Sequence, residues 1–380
     1  MSSAVTAKVE MAAPHAGWSW GEVAQKAAEQ PVYSFEPLGD SRWDDFLERH
    51  PRSSVFHSKP WLSALYRTYG YEPVAYTTTP AGEVLQNAVV FCRVESWLTG
   101  RRLVSLPFSD HCEPLVDGNE AAAILGRTIE HEVQQRHWRY VEVRPVQPVQ
   151  LRTSLQLTTV PYAFHELNLE PGLDTLFNNF HKSSTQRKIT RAEREGLTCR
   201  EGSSDMLLDQ FYRLFKVTRE RHRVPPQPLK WFLHLIEACG STLKIRVAYK
   251  DEQPAAAMLT LQHKDTLVYK YGCSDVRFNN LGSMHLLYWR AIQDAKSQGL
   301  RRLDFGRTDA DQKGLIVFKN RWGARQSSLT YSRYGVSESS THFFDMSTTK
   351  WKARTAKYVM SHLPSGVLSK IGQTLYRHVG

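Results

Sequence analysis

Cysteine is scarce in this chain, and what there is lies scattered. Cys92, Cys112, Cys199, Cys239 and Cys273 include no C-x-x-C pair. That excludes a zinc knuckle and a thioredoxin-type redox site, and an odd, dispersed set fits free thiols in a reducing compartment. No apolar run approaches the roughly 20 residues that span a bilayer. The opening stretch MSSAVTAKVEMAAPHAGW has no apolar centre of the signal-peptide kind. No cluster of His, Cys and carboxylates has metal-ligand spacing, so no metal is expected. These absences point to a cytoplasmic protein, with residues 1–30 expected to be poorly ordered.

What is present is globular and basic. Of 380 residues, 41% are hydrophobic and 23% charged, ordinary values for folded domains. The length suits two domains better than one core. A net charge of +11 favours anionic partners such as nucleotides, phosphate-bearing substrates, tRNA or acidic membrane, without choosing among them.

Local signals give an α/β chain with mixed strand order. Val32–Glu36 reads as a strand and DSRWDDFLERH as a helix capped by Asp40 or Ser41. In SKPWLSALYRTYG, Ser58 caps a helix, Pro60 fits its first turn and Gly70 stops it. Two strands follow around Pro80-Ala81-Gly82, then the strand RRLVSLPF, the loop SDHCEPLVDGN, a helix over Glu120–Gln135 and the strand WRYVEVRPV. In the second half, GLDTLFNNFHKSSTQRKITRAEREG is expected as one basic helical stretch. Helices follow over Asp205–His222 and Pro228–Ala238. Three strands occupy TLKIRVAYKDEQPAAAMLTLQHKDTLVYKYGCS, turning at Lys250-Asp251-Glu252 and His263-Lys264-Asp265. A helix over Gly282–Gln298, the strand LRRLDFG and the strand SSLTYSRYG complete the body. PVAYTTTPAGEVLQNAVVFCRVE and KIRVAYKDEQPAAAMLTLQHKD share a pattern of strand, polar turn and longer apolar strand, which suggests a duplicated α/β unit.

FHKSSTQRKITRAEREGL, YKYGCSDVRFNNLGSMHLLYWRAIQDAKSQGLRRLDFGRTD and VFKNRWGA together resemble the Fem-type branch of the GNAT acyltransferase superfamily. That branch includes peptidoglycan bridge-forming aminoacyl transferases and acetyltransferase-like proteins of exopolysaccharide and PEP-CTERM clusters. HSKPWLSALYRTYGYEP and LPFSDHCEPLVD fit the same pattern, so the likeness covers about Val32–Gly335. Its most specific part is Asp-Phe-Gly-Arg followed by Phe-Lys-x-x-Trp-Gly. The resemblance implies two tandem GNAT-like domains, with mixed, largely antiparallel sheets flanked by helices and a substrate cleft near their junction. The expected divisions are 1–30, a first domain over 31–165, a second over 166–337 and a basic helical tail over 338–380. The implied activity moves an acyl or aminoacyl group from acyl-CoA or aminoacyl-tRNA, neither held tightly, to an amine. The acceptor expected is a cell-envelope or exopolysaccharide precursor.

Candidate residues follow from that chemistry. An amine attacking an ester or thioester creates an oxyanion, which a fixed cation stabilises; the resemblance implies this for Phe318-Lys319, with the Lys319 ammonium facing a cavity between the lobes. Lys319 could otherwise be a solvated surface lysine. A carboxylate or imidazole must reach the amine proton, and Asp110, His111 and Asp117 in SDHCEPLVD are the candidates. Cys112 beside His111 offers a nucleophile pair only in sequence adjacency. Asp304 and Arg307 sit at a strand end, where α/β folds open onto ligands; Asp304 could equally serve a structural bridge. Tyr269 and Tyr271 are expected on one strand face with Lys270 opposite, and the resemblance implies an acceptor contact for Tyr271. Arg219 and Arg221 close a helix, where cations are favourable without a ligand, but the family places an arginine hereabouts for an anionic acceptor. NNLGSM stands where GNAT proteins carry a pyrophosphate loop. It keeps Gly282, lacks the other glycines, and leaves Ser283 at the helix start as a phosphate contact.

Two surfaces remain. Lys182, Arg187, Lys188, Arg191 and Arg194 could meet tRNA phosphates or be a solvated helix face. In the tail, Lys350, Lys352, Arg354, Lys357, Lys370 and Arg377 interleave with Trp351, Tyr358, Leu363, Leu368, Ile371 and Leu375, a pattern for peripheral contact with anionic lipid or for packing on the body. The rival to an enzyme is a non-catalytic GNAT-like adaptor bound to RNA or membrane, since fold does not fix activity.

Overall fold

The structure, a computed structural model, describes residues 31–97, 99–147, 151, 153–337 and 376–378. The expected disordered N-terminus and nearly all of the basic tail lie outside these residues.

Among the described residues, twelve strands form one sheet. They are β1 (Tyr33–Phe35), β2 (Glu72–Thr77), β3 (Val89–Ser96), β4 (Gly100–Val104), β5 (Tyr140–Val143), β6 (Gln156–Asn168), β7 (Thr198–Gly202), β8 (Leu243–Lys250), β9 (Gln253–His263), β10 (Thr266–Ser274), β11 (Arg302–Asp309) and β12 (Arg325–Gly335). The spatial order is β1-β2-β3-β4-β5-β12-β6-β11-β10-β9-β8-β7. Only β4/β5 and β10/β11 are parallel. Each parallel pair needs a crossover, supplied by α3 (Gly118–Gln135) and by α8 (Ser283–Ser297). Thus β2-β3-β4-α3-β5 repeats as β8-β9-β10-α8-β11, two tandem α/β units as the internal pattern suggested.

The repeats are interlocked. β6 follows β5 in the chain but pairs with β11, while β12 follows β11 but pairs with β5; β6 and β12 then pair with each other from Gln156↔Gly335 to Glu166↔Arg325. The expected boundary at 165/166 falls inside β6. Neither β6 nor β7 was expected as a strand.

The remaining helices are α1 (Arg42–Arg49), α2 (Lys59–Tyr69), α4 (Leu173–Asn179), α5 (Arg187–Arg194), α6 (Asp205–Arg221), α7 (Leu229–Cys239) and α9 (Lys313–Asn320). α2 shows how locally the sequence acts. The Ser58 side chain accepts from Trp61 N, Pro60 lies in the first turn, and Gly70 ends the helix at φ 74°, a left-handed cap that suits glycine. The expected single basic helix is broken instead. Phe180 and His181 leave α4, and a π turn over Lys182–Gln186 precedes α5. Gln186 stabilises that break by donating to Phe177 O and Phe180 O at 2.9 and 2.8 Å.

One core spans both repeats on one sheet face. Trp61 of α2 meets Trp231 of α7 edge-on, with ring centroids 5.2 Å apart and both side chains fully buried. Replacing either with alanine would cost about 3–5 kcal/mol. On the opposite face, α8 packs over the second repeat together with Phe180 and Trp322.

Candidate active site

The site begins where the sheet comes apart. The parallel pairing of β10 with β11 ends at Val268↔Asp304, although both strands continue. Each carries a bulge there, β10 between Tyr269 and Tyr271 against β9, and β11 between Asp304 and Arg307 against β6. Bulges re-aim side chains. Tyr269 packs with Tyr288 of α8, while Tyr271 packs with Phe215 and Phe232 on the other face. The expectation that the two tyrosines share a face is therefore wrong: Lys270 is the extra residue, and it breaks the alternation.

Into this opening comes a loop from the first repeat. Leu106 and Phe108 hold φ values of 54° and 62°, sparsely populated for such side chains. Arg144 secures the loop by donating to Leu106 O at 2.9 Å, and Tyr331 by donating to Asp110 O at 2.8 Å. Arg144 and Arg333 share the buried Glu142 carboxylate. Burial opposes ionisation of Glu142, but Arg333 and Arg144 outweigh it and hold the carboxyl at about 2.

The loop delivers two ion pairs across the repeats. Asp110 Oδ2 accepts from Lys270 Nζ at 2.6 Å, and His111 Nε2 lies 2.9 Å from Asp304 Oδ2. Asp304 Oδ1 also accepts from Gly306 N at 2.6 Å, fixing the bulge. Gly306 has φ 70°, and a Cβ there would lie 3.1 Å from Asp110 Cγ, so glycine permits the close approach. Lys319 of α9 donates to Gly306 O at 2.9 Å and Arg307 O at 3.2 Å.

Burial works against every charge in this cluster. It would raise the Asp110 pKa, but Lys270, with Arg307 and Lys319, outweighs it and lowers the value. Burial lowers the Lys270 pKa despite Asp110. At His111 burial opposes protonation, and Asp304 overcomes it to raise the pKa. Burial brings Lys319 down to about 8, with Asp110 and Asp304 opposing.

A cavity of about 750 Å³ adjoins the cluster. Lys270, Tyr271, Phe318, Arg219 and Arg221 line it, so four expected binding residues meet there. Tyr271 Oη accepts from Trp231 Nε1 at 2.9 Å, which fixes its orientation. Arg221 donates to Ser274 O at 3.2 Å, and the Arg219 guanidinium lies 4.8 Å from the Phe215 ring centroid.

Other expected residues sit differently. Lys319 is 2% exposed and is not among the residues lining this cavity. It is neither a surface lysine nor cavity-facing, because β11 carbonyls hold its ammonium; of the lysines in the cluster, Lys270 is the one that lines the cavity. The Arg307 guanidinium lies over Tyr162 and Tyr331 at 4.3 and 5.1 Å from the ring centroids and donates to Asp309 at 3.3 Å. Asp117 is apart from the cluster: it precedes α3, its side chain is 79% exposed, and it accepts from Arg52 at 2.9 Å. The Ser283 hydroxyl is buried without a partner, and a Cβ at Gly282 would meet Lys188 O at 2.3 Å. Gly282 thus serves the approach of α5, and the Ser283 hydroxyl is out of reach of a phosphate in this arrangement. Cys112 lies 3.4 Å from His57 Nε2 rather than pairing with His111, and burial pushes its thiol up to about 12.

Sequence reasoning missed Lys270 as a site residue. Its signal was a lysine inside an otherwise half-apolar strand, which alternation alone assigns to the wrong side. Among the described residues no group of three or more His, Cys, Asp or Glu is placed to hold a metal ion.

Residues 180–314 match the family model described as an acetyltransferase (GNAT) domain. A UDP-N-acetylmuramoylpentapeptide-lysine N(6)-alanyltransferase of Weissella viridescens is 26% identical over 178 residues, covering 46% of this chain and 49% of that protein. Over part of its length the chain is thus similar to GNAT acetyltransferases and to a Fem-type alanyltransferase. It spans about half the length of that curated relative in the match. The crystal structure of FemX superposes with a TM-score of 0.61 at 15% identity, covering 78% of this chain and 96% of that one. A tandem GNAT protein from the clavulanic acid biosynthesis pathway gives 0.50 at 11% identity, covering 80% of this chain and 98% of its own. At such identities the structural likeness speaks for the fold, two GNAT-like units in tandem.

Proposed function

We propose that this protein is an N-acyltransferase that moves an acyl or aminoacyl group from an activated carrier to an amine on a cell-envelope precursor. One observation carries it. The parallel pair β10/β11 opens where Asp110, Lys270, His111, Asp304 and Lys319 converge beside a cavity of about 750 Å³. Fixed cations next to an acyl carbonyl would stabilise the oxyanion of amine attack. Lys270 meets the cavity directly; Lys319 acts from behind the bulge, through the carbonyls it holds, and reaches an oxyanion after a shift of its ammonium off Gly306 O. Asp110 or His111 takes the amine proton. Tyr271 and Phe318 shape the wall, and Arg219 and Arg221 meet an anionic group of either substrate.

The donor is acyl-CoA or aminoacyl-tRNA, both rich in phosphate. A cavity of about 550 Å³ lined by Lys182, Arg187, Lys188, Arg191 and Arg194 suits such a carrier, and it reaches Asn280, just before α8. Met284 in the first turn of α8 lines the larger cavity, so one carrier could bridge the two. The acceptor, a peptidoglycan or exopolysaccharide precursor, would be met on the cytoplasmic side. Among the described residues no helix is long and apolar enough to cross a membrane; contact with the bilayer would be peripheral, through the basic tail.

Thermal shift with acetyl-CoA, longer acyl-CoAs and charged tRNA, followed by mass spectrometry of amine acceptors, tests the proposal. A ligand that binds only the folded state raises the melting temperature. Stabilisation by one donor together with an acylated product supports it. RNA binding through the basic cavity with no acylation, unaffected by Lys319→Ala, would favour the adaptor instead.

A further inference from the structure

Tyr376 and His378, in the described part of the tail, join segments that no ladder of the sheet joins. Tyr71, just after α2 in the first repeat, donates from its hydroxyl to Tyr376 O at 2.6 Å. The Tyr376 hydroxyl in turn donates to Pro225 O at 2.8 Å, beyond the end of α6 in the second repeat. Thr99 and Arg102 both donate to His378 O, at 2.7 and 2.8 Å, and Ser96 Oγ lies 3.0 Å from His378 Nδ1. The tail is thus fastened to the turn between β3 and β4, and Tyr376 is held where it bridges the two repeats.

Both ends of that bridge feed the candidate site. Val224, beside Pro225, lines the large cavity, as do Arg219 and Arg221 at the end of α6. Burial raises the Tyr376 pKa and the Arg219 cation opposes it, so the hydroxyl stands within electrostatic reach of a cavity arginine. At the other end the Tyr376 ring meets Phe108 edge-on, with centroids 5.7 Å apart. Only Ser109 separates Phe108 from Asp110.

Phe108 needs such a wall. A bulky residue at φ 62° keeps that backbone only where its surroundings over-determine it. Arg144 and Tyr331 hold loop carbonyls on either side, at Leu106, Ser109 and Asp110. The Phe108 ring is held by other rings: Tyr69 at 5.0 Å, Trp231 at 6.0 Å, Tyr71 at 6.2 Å and Tyr376. Tyr69, Tyr71 and Trp231 are buried, whereas Tyr376 is half-buried and closes the set toward solvent.

We propose that Tyr376 is a positioning residue for the transfer reaction: its ring on Phe108 and its hydroxyl on Pro225 O hold the Asp110–His111 loop and the Arg219–Arg221 end of α6 in fixed relation. This rests on the acyl-transfer function proposed above. Tyr376 acts through Phe108 and Pro225, since it is not itself among the residues lining the cavity. A loop freed at Phe108 carries Asp110 off Lys270, and a misplacement of about 1 Å costs about 10²-fold in rate.

Hydrogen exchange of the full chain, read by mass spectrometry in wild type, Tyr376→Ala and Tyr376→Phe, tests the clasp without donor or acceptor. Tyr376→Ala removes ring and hydroxyl. The amides of Leu106 and Ser109, bonded to Val104 O and Leu106 O, should then exchange about tenfold faster or more, as in local opening, while β8 and β9 keep their wild-type rates. Tyr376→Phe loses the hydroxyl alone. Exchange should rise at Arg223 and Val224, bonded to Glu220 O and Arg219 O, and stay unchanged at Leu106 and Ser109. Wild-type rates at Leu106 and Ser109 in Tyr376→Ala, or a rise throughout the sheet, overturn the clasp. Should Tyr376→Ala not fold, wild-type rates at Arg223 and Val224 in Tyr376→Phe overturn it alone.

Acylation kinetics test the positioning. In Tyr376→Ala kcat should fall about 10²-fold. Because Asp110 raises the Lys319 pKa, the alkaline limb of the rate profile should also move to lower pH, and Tyr376→Phe, which keeps the ring on Phe108, should bring it back. A tyrosine that served stability alone would lower the melting temperature and leave the limb in place, so an unmoved limb in folded Tyr376→Ala sinks the proposal and leaves the enzyme. No transfer by the wild type from any donor sinks the enzyme instead, and the exchange pattern still decides the clasp.

Discussion

Replacing Lys319 with methionine separates the electrostatics of the buried ammonium from its packing. Burial moves its pKa from 10.5 to about 8; at 1.36 kcal/mol per unit, the folded protein bears a penalty of about 3 kcal/mol for keeping it charged. The sign follows from linkage. The folded pKa is below the unfolded one, so between them the unfolded state binds more protons and stability rises with pH. Below about pH 8 the penalty is whole; above about 10.5 it is gone. Methionine has no such dependence. Going from about pH 7 to about pH 9.5, the wild type should gain about 2 kcal/mol relative to Lys319→Met, over roughly 1.5 units of titration. Urea unfolding of both proteins at each pH measures this difference, and the constant cost of losing the bonds to Gly306 O and Arg307 O cancels. Parallel pH curves would refute the buried-ammonium assignment. The acylation rate supplies a second readout: it should fall as pH rises through about 8 in the wild type and drop about 10²–10³-fold in the variant, as for other lost oxyanion partners.

Asp110→Asn leaves the Lys270 ammonium buried without its carboxylate and should cost about 3–5 kcal/mol in chemical unfolding. It should also move the alkaline limb of the rate profile to lower pH, because Asp110 raises the Lys319 pKa. Gly272→Ala would place a Cβ 2.1 Å from Tyr269 Oη, so the free energy of unfolding in urea should drop by about 1–3 kcal/mol, and by less when Tyr269→Phe is added. Asp117→Asn, on the exposed start of α3, should leave the acylation rate within about twofold and stability within about 0.5 kcal/mol. Residues 1–150 expressed alone leave β5 without β12 at an open sheet edge, so size-exclusion chromatography should find aggregates, and co-expression with residues 151–380 should give a soluble complex.

Much of the fold was legible where local chemistry decides it. Ser58, Pro60 and Gly70 mark α2 from the sequence alone, and the turn at Lys250–Glu252 holds Asp251 and Glu252 at positive φ as a tight hairpin requires. β6 was not legible for a physical reason. Its pattern QLTTVPYAFHELN carries Pro161 and polar residues, and its partners β11 and β12 lie more than a hundred residues away. No local period reports such pairing. The cluster was half legible. Asp110, His111, Asp304 and Lys319 were named, because a charged loop and a charged strand end stand out against apolar surroundings. Which lysine meets the cavity depends on a bulge, and one inserted residue reverses every alternation assignment after it.

The strand exchange explains why this cluster can exist. Asp110 and His111 come from the first repeat, whereas Lys270, Asp304 and Lys319 come from the second. Two loosely docked domains could not hold a 2.6 Å contact between buried opposite charges, since a small shift would leave each unpaired at a cost of several kcal/mol. Here β12 reaches β5 and β6 reaches β11, so the backbone ladders that hold the sheet together also set the separation of Asp110 from Lys270. Tyr331 on β12 completes the link by donating to Asp110 O. The same residues that close the sheet therefore keep its opening at β10/β11 at fixed width, and a site with buried charges can stay charged only while that width is fixed.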